Sequence, residues 1–92
     1  MFQLTGFQRD LLYVIASLDR PSGQAVKELF EEDVGEVNHG RLYPNLDTLV
    51  NRSLVDKGQL DRRTNYYEIT DRGLEMIRER RAWENRMVDF LE

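Results

Sequence analysis

Apolar residues recur at helical spacing in four stretches of the chain and alternate in one. Phe7, Leu11, Val14, Ile15 and Leu18 share a face and predict a helix from about Gly6 to Leu18, with Thr5 as its cap. Leu12 lies well off that face, and Phe2 and Leu4 precede the helix. Asp19-Arg20-Pro21-Ser22-Gly23 is turn chemistry, in which Pro fixes φ and Ser22 can cap the next helix. That second helix, about Gly23 to Glu32, is expected to bury Ala25, Val26, Leu29 and Phe30 before the polar run Glu31-Glu32-Asp33-Val34-Gly35. The third spans about Asn38 to Arg52. Leu42, Leu46, Leu49 and Val50 form its buried face, and Arg41, Asn45, Thr48 and Arg52 repeat at the same spacing beside them. Pro44 lacks a backbone donor and is expected to weaken or bend the first turn, aiming Asn38, His39 and Arg41 away from the axis.

The period then changes. Leu54–Gln59 and Asn65–Thr70 read as two strands around Leu60-Asp61-Arg62-Arg63-Thr64, with Tyr67 and Ile69 facing the core and Tyr66, Glu68 and Thr70 turned away. A last helix starts at Thr70 and runs to about Phe90. Leu74, Ile77 and Val88 fall on one side of it, and Met76, Trp83, Met87 and Phe90 on nearly the opposite side. A monomer has nothing left to bury both sides against, so the second stripe predicts either a twofold dimer or a tail with a few apolar residues. In the dimer, Met76, Trp83, Met87 and Phe90 would be joined by Phe2, Leu4 and Leu12.

Two short helices, a third with a polar face, and an arginine-tipped hairpin come in the order of a winged helix-turn-helix. The fold class is mainly α with a small β-hairpin: a DNA-binding unit over residues 1–70 and a C-terminal dimerisation helix over 71–92. On the third helix, arginine, amide and hydroxyl groups match guanine and adenine edges and phosphate oxygens, although a solvated helix can carry the same groups. Arg41 and Asn45 are expected to read bases, with Tyr43 against the backbone through its hydroxyl. His39 is either a surface polar residue or a phosphate contact. Arg62 and Arg63, with Lys57 on the incoming strand, are expected on phosphates.

Charge changes the picture only locally. Thirteen basic and seventeen acidic residues leave a net −4, but five basic against three acidic residues between Asn38 and Arg63 give that segment +2. The acids gather at Glu28, Glu31, Glu32, Asp33 and Glu36, and only Lys27 and Lys57 are lysines, a balance that hints at a salt-adapted source. The absence of cysteine and the single histidine, His39, leave no thiolate site, metal site or histidine-based triad to expect, and no cofactor. No apolar run reaches membrane-spanning length, so the expected location is the cytoplasm.

The stretches HGRLYPNLDTLVNRSLV and DRRTNYYEITDRG resemble the PadR-like family of winged-helix transcriptional regulators. The likeness lies in a Leu-Tyr-Pro helix start, a Leu-Val after a short turn, a basic wing and a Tyr-Tyr-x-Ile-Thr-x-x-Gly exit, and it covers about Phe7 to Ile77. It implies a dimeric, repressor-like binder of double-stranded DNA, with the third helix in the major groove and the wing on the backbone. A dimer would address an inverted-repeat operator. Two departures stand out: Ser53 occupies a helix exit where glycine is usual, and the chain stops at Glu92, whereas many members carry a longer C-terminal region. A winged-helix module that binds protein is the alternative, favoured by the overall acidity. An enzyme is a third class, for which no paired carboxylates, activated nucleophile or glycine-rich phosphate loop is present.

Overall fold

A computed structural model describes residues 3–91; Phe2 lies outside the described residues. Each helix begins at a side chain that takes up a free backbone N–H. Thr5 and Gln8 form a reciprocal capping box at α1 (Gly6–Ser17), with bonds of 3.1 and 3.2 Å. Ser22 accepts from the Ala25 N–H at the start of α2 (Gly23–Val34), and the Asn38 Oδ1 accepts from the Arg41 N–H at 2.8 Å at the start of α3 (His39–Asn51). Two antiparallel strands come next, β1 (Val55–Gln59) and β2 (Asn65–Ile69), with Val55 opposite Ile69 and Lys57 opposite Tyr67. Thr70 caps α4 (Asp71–Met87), and a single 3-10 turn, Asp89–Leu91, succeeds it.

α1 is the central element: α2, α3, α4 and β2 all pack on it. Leu11 and Ile15 meet Val26 and Phe30 of α2, Leu42, Leu46 and Leu49 of α3, and Leu54, Val55 and Tyr67 of the hairpin in one core. That enclosure corrects the reading of Leu12. At 1% exposure it belongs to the core, because a helix covered on several sides buries more than one stripe, and it is not available to a partner. Leu4 and Met76 also pack against the core of their own chain. Ala25 and Leu29 are only half-buried.

The wing is anchored at its base. The Pro21 carbonyl accepts from the Tyr67 N–H at 2.8 Å, and Ser22 forms a bridge with Tyr66, so the α1–α2 connection runs as a partial third strand. Pro44 does not break α3, which is continuous from His39. The first turn is tightened instead: the Arg41 N–H donates to both the carbonyl and the side chain of Asn38. At the other end, Ser53 takes φ +63°, its N–H bonds the Val50 carbonyl, and the Leu54 N–H bonds the Leu49 carbonyl. Those two bonds define a Schellman exit, with serine in the left-handed position.

α4 docks along its first three turns, as far as Arg80, which lines a small recess with Leu12 and Tyr13 of α1. A side chain at Gly73 would collide with the Leu54 carbonyl and with Ile69, so this glycine lets the helix lie directly on the β1 entry and β2. Met76 and Ile77 both pack against the core, although the sequence pattern put them on different sides. The same pattern assigned Leu74 and Val88 to the core side. Among the described residues Leu74 is half-buried outside the core packing, and Val88, beyond the end of the body, is 42% exposed. The molecule is elongated, 49 × 28 × 21 Å.

Candidate nucleic-acid interface

α3 buries Leu42, Leu46 and Leu49 completely, which turns the opposite line of Gly40, Pro44, Asp47 and Asn51 outward. This line, rather than the stripe of Arg41, Asn45, Thr48 and Arg52, is the centre of the exposed face. Arg41 and Asn45 of that stripe turn toward α1, and Arg52 turns toward the chain start. Asn45 is engaged at both ends of its amide: Nδ2 donates to the Arg41 carbonyl at 2.7 Å, and Oδ1 accepts from Gln8 Nε2 at 3.0 Å. Arg41 lays its guanidinium on the Phe7 ring, 4.0 Å from the centroid. Arg52 caps the C-terminus of α3 and donates to the Gln3 carbonyl at 3.2 Å. Thr48 donates to the Pro44 carbonyl within its own helix.

The other flank of α3 faces the wing. Lys57 of β1 reaches Asp47 at 3.8 Å, across open surface. Tyr43 lies over Gly23 at the start of α2 and, with Gln24, Arg63, Thr64 and Asn65, lines a groove between α2, α3 and the wing. His39 stacks on Tyr43, with ring centroids 5.6 Å apart and planes 4° from parallel. Asn38 commits its side-chain oxygen to the cap.

At the wing tip the Asp61 carboxylate accepts from the Arg63 and Thr64 N–H groups at 2.9 and 3.0 Å, and the Leu60 N–H closes the turn on the Thr64 carbonyl. The Arg63 bond, with smaller help from Thr64, holds the Asp61 carboxyl below its ordinary range, so the turn is kept by an ionised cap. Arg62 and Arg63 project from it, exposed. Gly58 of β1 lies directly beneath the Tyr66 ring.

The structure thus joins α3 and the wing into one surface through Asp47, Lys57, Tyr43 and Arg63. Asn45 and Arg52 stand apart from it, tied to α1 and the chain start. Gly40, Pro44, Asp47 and Asn51 were missed in the sequence, although their spacing directly opposite the leucines was there to read. Among the described residues no three His, Asp or Glu side chains are placed to hold a metal ion, and no helix is long and apolar enough to cross a membrane.

Comparison with known proteins bears on this surface. The family model described as "Transcriptional regulator PadR-like family" matches residues 11–79. The chain is similar to the solved structure of RosR from H. salinarum, with 45% identity over 94% of this chain and 78% of that one, at a TM-score of 0.87. A RosR complex designated RosR-S4 gives 46% identity over 94% and 75% of the two chains, at 0.88. FabT of Streptococcus pneumoniae, in complex with DNA, shares the fold at a TM-score of 0.75 with 16% identity, over 97% of this chain and 60% of that one. No protein of curated function matches the sequence.

Proposed function

The chain belongs to the PadR-like family of transcriptional regulators and is a DNA-binding regulator, and on that premise we propose that it acts as a homodimer on an inverted-repeat operator. The outward line of α3 enters the major groove, and the wing tip lies on the neighbouring backbone. The observation that carries this reading is the contiguity of the two parts: Asp47 of α3 meets Lys57 of the wing, and Tyr43 and Arg63 line one groove. Arg62 and Arg63 take phosphates. Tyr43 and the backbone N–H groups at the start of α2 border the same groove and are placed for the adjoining phosphate. Arg41 reads a base only after leaving Phe7, whereas Asn45 holds the helix in place. A repressor-like role in the cytoplasm goes with this arrangement.

Residues 71–92 supply the dimer contact. Phe90 and Leu91 are 79% and 71% exposed, and Met87 51%. Trp83, Met87 and Phe90 belong to the second apolar stripe, and Leu91 extends it in the 3-10 turn that follows α4.

The test is binding to an operator and to mixed duplex DNA at two salt concentrations. Releasing counterions from phosphates makes affinity fall with salt. Replacing Arg62 and Arg63 by Ala should weaken binding to every sequence and flatten the salt slope by about two units at most. Loss on one sequence only would make the two arginines base readers.

A further inference from the structure

We propose that Asp47 is a specificity-determining residue that selects cytosine in the major groove, held in its reading position by Lys57. The proposal rests on the DNA-binding reading above and deepens it. The shape of α3 is its starting point. Gly40 and Pro44, on the outward line, carry no long side chain, so the helix backbone can come close to the groove floor there. The next residue on that line is Asp47. It is the only acid on α3, its side chain is 58% exposed, and it lies 3.8 Å from the Lys57 ammonium.

A carboxylate in this place is costly beside phosphates, which repel it, and favourable only opposite a donor. In the major groove the base edges present mostly acceptors: guanine N7 and O6, adenine N7 and thymine O4. Cytosine offers its N4 amino group, the donor that acidic side chains take. Adenine also has an amino group, but there an acceptor, N7, adjoins it, and a carboxylate would face that lone pair. Asp47 therefore penalises most base pairs and rewards one, which sharpens discrimination as attraction alone would not. Lys57 serves as a positioning residue. From the wing strand it turns the carboxylate along the helix face and offsets part of its repulsion from the backbone.

The experiment is selection from a random duplex pool with the full chain, run for wild type, Asp47→Ala and Lys57→Ala. Melting of each variant checks that these exposed substitutions leave the fold intact. In the wild type one position per half-site should be enriched in cytosine. Asp47→Ala should lose the preference at that position alone and bind random DNA more tightly, having shed a negative charge. Replacing the selected C·G by T·A should cost the wild type about tenfold in affinity, and Asp47→Ala under about twofold. Lys57→Ala should blur the same position. If Asp47→Ala tightens binding to all sequences and leaves the motif unchanged, Asp47 is only a charge on the surface and the proposal is overturned, while the DNA-binding reading stands. If the wild type enriches no motif, both fall together.

Discussion

Ser53 holds a left-handed φ of +63° that a glycine would adopt without opposition from a Cβ. The two hydrogen bonds of the Schellman exit, from the Ser53 and Leu54 N–H groups, keep it there. Ser53→Gly should therefore raise stability by about 1 kcal/mol, read as a higher denaturation midpoint with an unchanged slope. Tyr67 makes the opposite kind of statement, about pH. Its phenol is pushed up to about 12 from 10.0, chiefly by burial and then by the nearby Asp47 and Tyr43. A group whose folded pKa is raised contributes fully below its unfolded value and loses that contribution as pH climbs to the folded one. Stability should therefore hold below pH 10 as far as this residue is concerned, and fall by about 2–3 kcal/mol between pH 10 and 12. Tyr67→Phe should remove that part of the alkaline loss in denaturation curves recorded across the window. The serine departure was legible in the sequence because a helix exit is a local matter. The burial of Leu12 was not, because it depends on which elements close around α1.

At the scale of elements, the first three helices and the hairpin could be read from the chain within a residue or two, since caps, turn residues and apolar spacing are written side by side, whereas α4 ends at Met87 and a 3-10 turn takes the place of its expected last residues up to Phe90. Thr5, Ser22, Asn38 and Thr70 each start a helix where expected. The face that each helix shows to water was harder. Arg41, Asn45, Thr48 and Arg52 formed a polar stripe of the right chemistry, but α1 and the chain start lean against that flank, and the amide oxygen of Asn45 accepts from Gln8 of α1 there. Gln8 is the pivot: it closes the capping box of α1 and also donates to Asn45. Gln8→Ala should cost about 1 kcal/mol of stability. It should also lower operator affinity more than affinity for random DNA, because α3 loses a fixed point. Equal losses on both, measured at one salt concentration, would confine Gln8 to a role in folding.

For the molecule as a whole, the acidic total and the DNA-binding surface coexist because the densest acids, Glu28 to Glu36, lie on α2 and the connection after it, away from α3 and the wing. Glu31 shows how they are used: the Val37 N–H and then Lys27 keep its carboxyl below the ordinary range, which ties the end of α2 to the lead into α3. The apolar end of α4 is the other whole-molecule feature. Because Phe90 is 79% exposed, Phe90→Glu should leave the melting of the isolated chain nearly unchanged and yield monomers in light scattering at micromolar concentration. A dimer that persists would move the contact off this stripe. Gly73 has a consequence of its own. It fixes the azimuth and origin of α4 on the body, and an α-helix advances 1.5 Å and turns about 100° with each residue. The distal patch therefore sits at an angle set by a whole number of residues, like the throw of a crankshaft. In a dimer built on that patch, the residue count from Gly73 to Met87, where the helix ends, becomes the protein's own record of the phase between its two half-sites. Removing one residue from the exposed part of α4 would swing the two reading heads out of step on the double helix without altering either of them.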